Sequence, residues 1–146
     1  PPLSPPPMYE LSHRVRVFVF SFKAARAQYL LLRSGHGIES FWTPLHGPIG
    51  FAEKVEMAVA REVADETGLG RPVELIDLDL TSQVVLGDER VIEWSFGCRA
   101  GGSDEPRLDA RWSEYRWADV EQAFPALELE GDRAALIRLH TMLHAA

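Results

Sequence analysis

The chain has one cysteine, no long apolar run, no internal repeat and no excess of basic residues. A lone thiol, Cys98, cannot pair within the chain, which rules out a disulfide framework and suits a reducing compartment. It sits at the end of the apolar run WSFGC, as a packing residue would. No stretch approaches the roughly 18–20 apolar residues that span a bilayer, and no charged-then-apolar signal segment opens the sequence. The expectation is a soluble, cytoplasmic protein with no membrane partner. A formal net charge of -7 argues against a nucleic-acid partner, because such binding relies on clustered Lys and Arg. Phosphate-bearing small molecules remain compatible if a metal supplies the positive charge.

What is present is the size and mix of one globular domain, 146 residues of which 46% are hydrophobic and 25% charged. PPLSPPP lacks backbone donors and has fixed dihedrals, so residues 1–12 read as a Pro-rich flexible tail before a single domain at 13–146. Pro2 and Pro5 have PxxP spacing, a weak signal. Residues 14–22 and 28–33 read as a strand hairpin. Residues 73–85 read as a long or bent strand that turns at Gly87-Asp88 into a strand at 90–99, with Ile92, Trp94 and Phe96 on one face. A helical turn at 119–124 stops at Pro125, and a final helix runs over 133–144. His140 and His144 are one turn apart, but no Cys or acid nearby in sequence completes a zinc set.

The most informative stretch is GPIGFAEKVEMAVAREVADETGL, residues 47–69. A helix is predicted over about 53–67, ended by Gly68. At 100° per residue, Ala52, Val55, Val59 and Val63 form an apolar stripe, overlapped at its edge by Glu62, Asp65 and Glu66. Glu62 and Glu66 are like charges four apart, and all three acids occupy the last turns, where the helix dipole favours cations. Like charges so placed take up protons or a cation, and a set of hard oxygen ligands suits Mg²⁺ or Mn²⁺.

These residues resemble the signature of the Nudix hydrolases, a glycine, five residues, Glu, seven residues, then Arg-Glu-apolar-x-Glu-Glu-x-Gly-apolar. Gly47, Glu53, Arg61, Glu62, Val63, Glu66, Gly68 and Leu69 match, and Asp65 replaces the first paired Glu. The resemblance extends over most of the chain and implies an α/β fold, an α/β/α sandwich with a mixed sheet. It also implies hydrolysis of a diphosphate linkage in a small nucleotide-like molecule. Glu66 and Asp65 would be metal ligands, Glu62 a ligand or the base that orients water, and the backbone carbonyl of His46 a further ligand. Arg61 and Glu53 would brace the loop against the helix.

Trp42-Thr43-Pro44 is similar to dinucleoside tetraphosphate hydrolases, although His46 stands at their lysine position. The C-terminal third is more like dihydroneopterin and nucleoside triphosphate pyrophosphatases. Near Glu114-Tyr115-Arg116-Trp117, Arg111 takes the place of a family acid and Trp112 that of a histidine. Glu114 is then the nearest aligned carboxylate for the metal, with Asp109 and Glu105 as loop candidates. The expected reaction is Mg²⁺-dependent conversion of a nucleoside or pterin triphosphate to monophosphate and pyrophosphate. A dinucleoside polyphosphate hydrolase is the alternative, and a weakly active nucleotide-binding module a third. The sequence sets no oligomeric state, and a homodimer stays open.

Overall fold

A computed structural model describes residues 10–35, 40–102 and 105–145. The Pro-rich segment to residue 9, with its PxxP spacing, lies outside them. Six strands and three helices follow in the order β1 (Glu10–Lys23), β2 (Arg26–Arg33), β3 (Leu45–Pro48), α1 (Val55–Thr67), β4 (Pro72–Leu86), β5 (Glu89–Ala100), β6 (Glu114–Ala118), α2 (Val120–Ala126) and α3 (Glu130–Leu143).

β1 organises the sheet. Its run VRVFVF is apolar at nearly every position because both faces are covered, and residues 15–20 are all buried. Alternation then decides the partner. Val15, Val17 and Val19 join Val59 and Val63 of α1 in one core, while Phe18 and Phe20 join Leu136 and Leu139 of α3 in the other. Two helical layers thus enclose a mixed sheet of order β4-β5-β1-β2-β6, the α/β/α sandwich expected.

One edge of β1 pairs with β5 in parallel, from Glu10↔Glu89 to Val19↔Cys98. The other edge is shared. Residues Phe20–Lys23 pair with β2, and Arg14–Val17 pair with β3 through Arg16↔His46 and Val15↔Gly47. The sheet therefore divides at the middle of β1, and β3 runs beside the mouth of a cavity.

The structure differs from expectation in several local features. Ala52 is not part of the α1 stripe: it is exposed, has φ 58° and precedes the helix, which starts at Val55 after Lys54. β1 begins at Glu10 because its N-terminal residues are paired to β5. α2 runs through Pro125 to Ala126, its start fixed by an Asp119–Gln122 capping box. α3 starts three residues earlier than expected, at Glu130. β4, by contrast, is the long strand expected over 73–85, and its register shifts between Asp77 and Thr81, where Asp79 has φ 50°. The β1–β2 hairpin turns on Ala24 and Ala25, both with positive φ.

Candidate metal and diphosphate site

Glu62 is on the buried face of α1 with Ala58, Val59, Val63 and Thr67. Burial raises its carboxyl above the ordinary value, the charge of Glu66 adds to this, and the Arg61 guanidinium opposes it. Its carboxylate lies against Gly47: a β-carbon there would sit 2.0 Å from Glu62 Cδ. Only glycine lets β3 approach the helix this closely.

Arg61 reaches across the same gap. Its Nη1 donates to Glu62 Oε1 at 2.8 Å, its Nη2 to the Pro48 carbonyl at 2.8 Å, and its Nε to Glu53 Oε2 at 2.9 Å. Glu53 also accepts from the Gly50 amide at 2.8 Å. The hydrogen bonds from Arg61 and Gly50 hold the Glu53 carboxyl down at about 2. One guanidinium and one carboxylate thus tie the loop at 48–53 to the helix.

Glu66 is partly buried, and Asp65 is exposed. The Glu66 backbone carbonyl accepts from the Asp109 amide at 3.0 Å and that of Thr67 from the Arg107 amide at 2.7 Å. These bonds satisfy helix-end acceptors and dock the segment 107–113 over α1. The segment brings two side chains to the carboxylates. Trp112 Nε1 donates to Glu66 Oε2 at 3.0 Å, and Arg111 Nε lies 3.2 Å from the same oxygen. Arg111 Nη2 donates to the His46 carbonyl at 2.8 Å. Sequence comparison placed Arg111 and Trp112 only as departures from a motif, yet both reach the site. Glu114 does not join this group: it pairs with Arg33 across β2 and β6.

A second group, not anticipated from the sequence, lies on the opposite face of β3. Arg16, only 2% exposed, donates from Nε to Asp132 Oδ1 at 2.7 Å and from Nη2 to Glu93 Oε1 at 3.1 Å. Its Nη1 reaches Ser82 and Ser95. Arg14 Nε lies 3.2 Å from Glu93 Oε2. His46 Nδ1 is 2.8 Å from Glu93 Oε2 and its Nε2 3.1 Å from Asp132 Oδ1. Two carboxylates facing both ring nitrogens favour imidazolium. Burial pushes His46 down, but its bonds to Asp132 and Glu93 together outweigh that and hold its pKa above the ordinary value. Glu93 loses stability as an anion through burial, yet His46, Arg16 and Arg14 bring its carboxyl down to about 2. The available signal was charge inside apolar strands, in VRVF and VIEWSF.

Beside β3 opens a cavity of about 840 Å³, within the range of small-molecule sites, whose lining includes Arg14, His46, Gly47, Glu93, Arg111 and Trp112. Trp42 packs against the α3-side core, with the Arg33 guanidinium 4.8 Å from its ring centroid. Trp94 is partly exposed, and its Nε1 donates to His13 Nδ1 at 3.1 Å.

Among the described residues no three Asp, Glu, His or Cys side chains converge tightly enough to hold a metal ion by themselves. The oxygen donors nevertheless suit one. A carbonyl, that of His46, and a carboxylate, that of Glu66, both turn onto one cation, the Arg111 guanidinium, beside the buried Glu62. Hard donors around a resident cation are the set Mg²⁺ or Mn²⁺ prefers.

Comparison with known proteins agrees with this architecture. The chain is 32% identical over 139 residues to an octanoyltransferase from Myxococcus xanthus; the match takes in 92% of this chain but 37% of that protein, so the chain spans little more than a third of its length. A C. elegans Ap4A hydrolase superposes with a TM-score of 0.78 at 16% identity, covering 92% of this chain and 99% of that one. The E. coli dihydroneopterin triphosphate pyrophosphohydrolase superposes at 0.68 and 19% identity, covering 92% and 99%. These likenesses establish the fold. No helix among the described residues is long and apolar enough to cross a membrane. With the NUDIX domain model matched over residues 12–139, on a sheet and helix arranged as that fold requires, the chain belongs to the Nudix hydrolase family.

Proposed function

We propose that the chain hydrolyses the diphosphate linkage of a nucleoside or pterin triphosphate, releasing the monophosphate and pyrophosphate with Mg²⁺, or Mn²⁺, as cofactor. The observation that carries this reading is the convergence of the His46 carbonyl and the Glu66 carboxylate on one cation at the cavity mouth. Glu66, Glu62 and the His46 carbonyl would hold the metal, with Asp65 reaching it from the exposed side of α1. The metal supplies charge neutralisation of the phosphoryl oxygens and activation of water.

The remaining work falls to the chain's own groups. Arg61 fixes Glu62 through Oε1, leaving Oε2 to orient water or accept its proton. A carboxyl raised by burial is better matched to proton transfer near neutrality than an ordinary glutamate. The bonds of Arg61 and Glu53 keep the loop in register with the helix, which is where positioning is won or lost. The cavity would take the nucleoside or pterin.

A second reading rests on the relative named octanoyltransferase and on the apolar part of the cavity lining, Phe41, Pro48, Val84, Val91 and Leu129. In it the diphosphate belongs to an acyl-bearing nucleotide such as an acyl-coenzyme A. The test is product analysis by phosphorus NMR with Mg²⁺, using nucleoside triphosphates, dihydroneopterin triphosphate, diadenosine tetraphosphate and octanoyl-coenzyme A, with Glu66→Gln as control. Pyrophosphate from a triphosphate supports the first reading, and cleavage of octanoyl-coenzyme A alone moves the assignment to the second. A nucleoside triphosphate product from the tetraphosphate would identify a dinucleoside polyphosphate hydrolase. Binding without turnover of any of them would refute the enzyme and leave a binding module.

A further inference from the structure

Arg111 differs from the other cation at the carboxylate helix. Arg61 is locked by Glu53, Glu62 and the Pro48 carbonyl. Arg111 holds one carboxylate oxygen and one carbonyl, its side chain is 46% exposed, and it lines the cavity. The backbone that carries it is fixed at both ends. Arg107 and Asp109 are bonded to the end of α1, and the Ser113 amide donates to the Arg33 carbonyl at 2.9 Å. The Arg111 amide itself donates to Asp109 Oδ1 at 3.1 Å. The guanidinium is therefore a half-exposed group on a fixed base, stacked on Trp112 at 4.7 Å.

We propose that Arg111 is an exchangeable counter-cation: it occupies the place of a divalent ion between Glu66 and the His46 carbonyl, and the phosphates of a substrate draw it away, so that metal and substrate bind with positive coupling. The inference rests on the metal-site reading above. Two cations cannot share one carboxylate oxygen and one carbonyl without repulsion, so metal binding requires Arg111 to leave. A leaving guanidinium needs an anion, and a diphosphate offers paired oxygens that match its fork. Displacement by substrate then lowers the cost of metal binding, and by reciprocity metal lowers the cost of substrate binding.

The experiment is Mn²⁺ binding followed by electron paramagnetic resonance on wild type, Arg111→Met, Arg111→Lys and Glu66→Gln. Each is titrated with and without a methylene-bridged, non-hydrolysable adenosine triphosphate analogue, and corrected for Mn²⁺ bound by the analogue alone. Circular dichroism confirms that each variant is folded, and methionine keeps the apolar stem over Trp112. Without analogue, Arg111→Met should bind Mn²⁺ about fivefold more tightly than wild type, the scale of a half-exposed charge pair. The analogue should tighten Mn²⁺ binding more in wild type than in Arg111→Met, with Arg111→Lys between them. Equal or weaker Mn²⁺ binding by Arg111→Met overturns the exchange while leaving the metal site intact. Mn²⁺ binding unchanged by Glu66→Gln would instead refute the metal-site reading, and the exchange with it.

Discussion

Replacing Glu93 by glutamine tests whether the buried charges behind β3 hold the site in place. Glu93 is 6% exposed and meets three cationic groups, His46 at 2.8 Å, Arg16 at 3.1 Å and Arg14 at 3.2 Å. Its carboxyl sits at about 2 rather than near 4.5, which corresponds to about 3 kcal/mol of stability at neutral pH. The cost of breaking a buried ion pair by removing one partner is of the same order, roughly 3–5 kcal/mol. For a domain of this length that loss lowers Tm by about 10 °C. Because the folded carboxyl is depressed, its contribution is complete above the unfolded value, near 4.5, and disappears as pH falls through about 2. Differential scanning calorimetry of wild type and Glu93→Gln should show the full Tm gap from pH 7 to about pH 5, closing towards pH 2. His46, raised by the same contacts, should titrate at lower pH in the variant, read from its ring protons by NMR. A Tm loss under about 2 °C at pH 7, or a gap that stays constant down to pH 2, would refute the account.

Gly47→Ala puts a methyl group into the Glu62 carboxylate, and should cost about 1–3 kcal/mol and at least about tenfold in kcat through misplacement of Glu62; full activity would show that the two need not touch. Replacing Ala24-Ala25 by Asn-Gly relieves two positive-φ alanines and should stabilise the fold by about 1 kcal/mol or more in urea denaturation. His140→Ala leaves the buried Tyr29 hydroxyl without its partner at 2.7 Å, so it should lose about 1–2 kcal/mol of stability while activity and zinc content stay at wild-type values. A drop in activity with unchanged Tm would revive a metal role for His140 and His144.

The carboxylate helix was legible because its information is local: the i, i+3, i+4 spacing and Gly68 specify both the face and the end. The positive-φ cap at Gly68 is found as expected. The strands around β1 could be read from β-branched and aromatic runs, but the division of its edge between β2 and β3 could not, since pairing depends on residues far apart in sequence. The charged group behind β3 stayed hidden for the same reason. Arg16 and Glu93 show only as charges inside apolar strands and Asp132 as an acid at a helix start, and with up to 116 residues between them nothing local says that they meet. The turn between Lys23 and Arg26 falls where the sequence placed it, but its conformation was not legible. Nothing in Ala24-Ala25 announces a left-handed conformation, which the two-residue closure of Lys23↔Arg26 imposes.

The alternation of β1 between two cores also bears on how the chain tolerates change. Val17 and Phe18 are covalent neighbours but belong to different packing groups, one under α1 and one under α3. Losses from trimming both should simply sum, whereas trimming Val17 together with Val59 or Val63 should show non-additivity wherever the side chains share a void. Sequence drift on the α3 side should therefore reach the α1 layer that carries Glu62 and Glu66 most directly through Arg16 and His46, which bond Asp132 of α3 from β1 and β3.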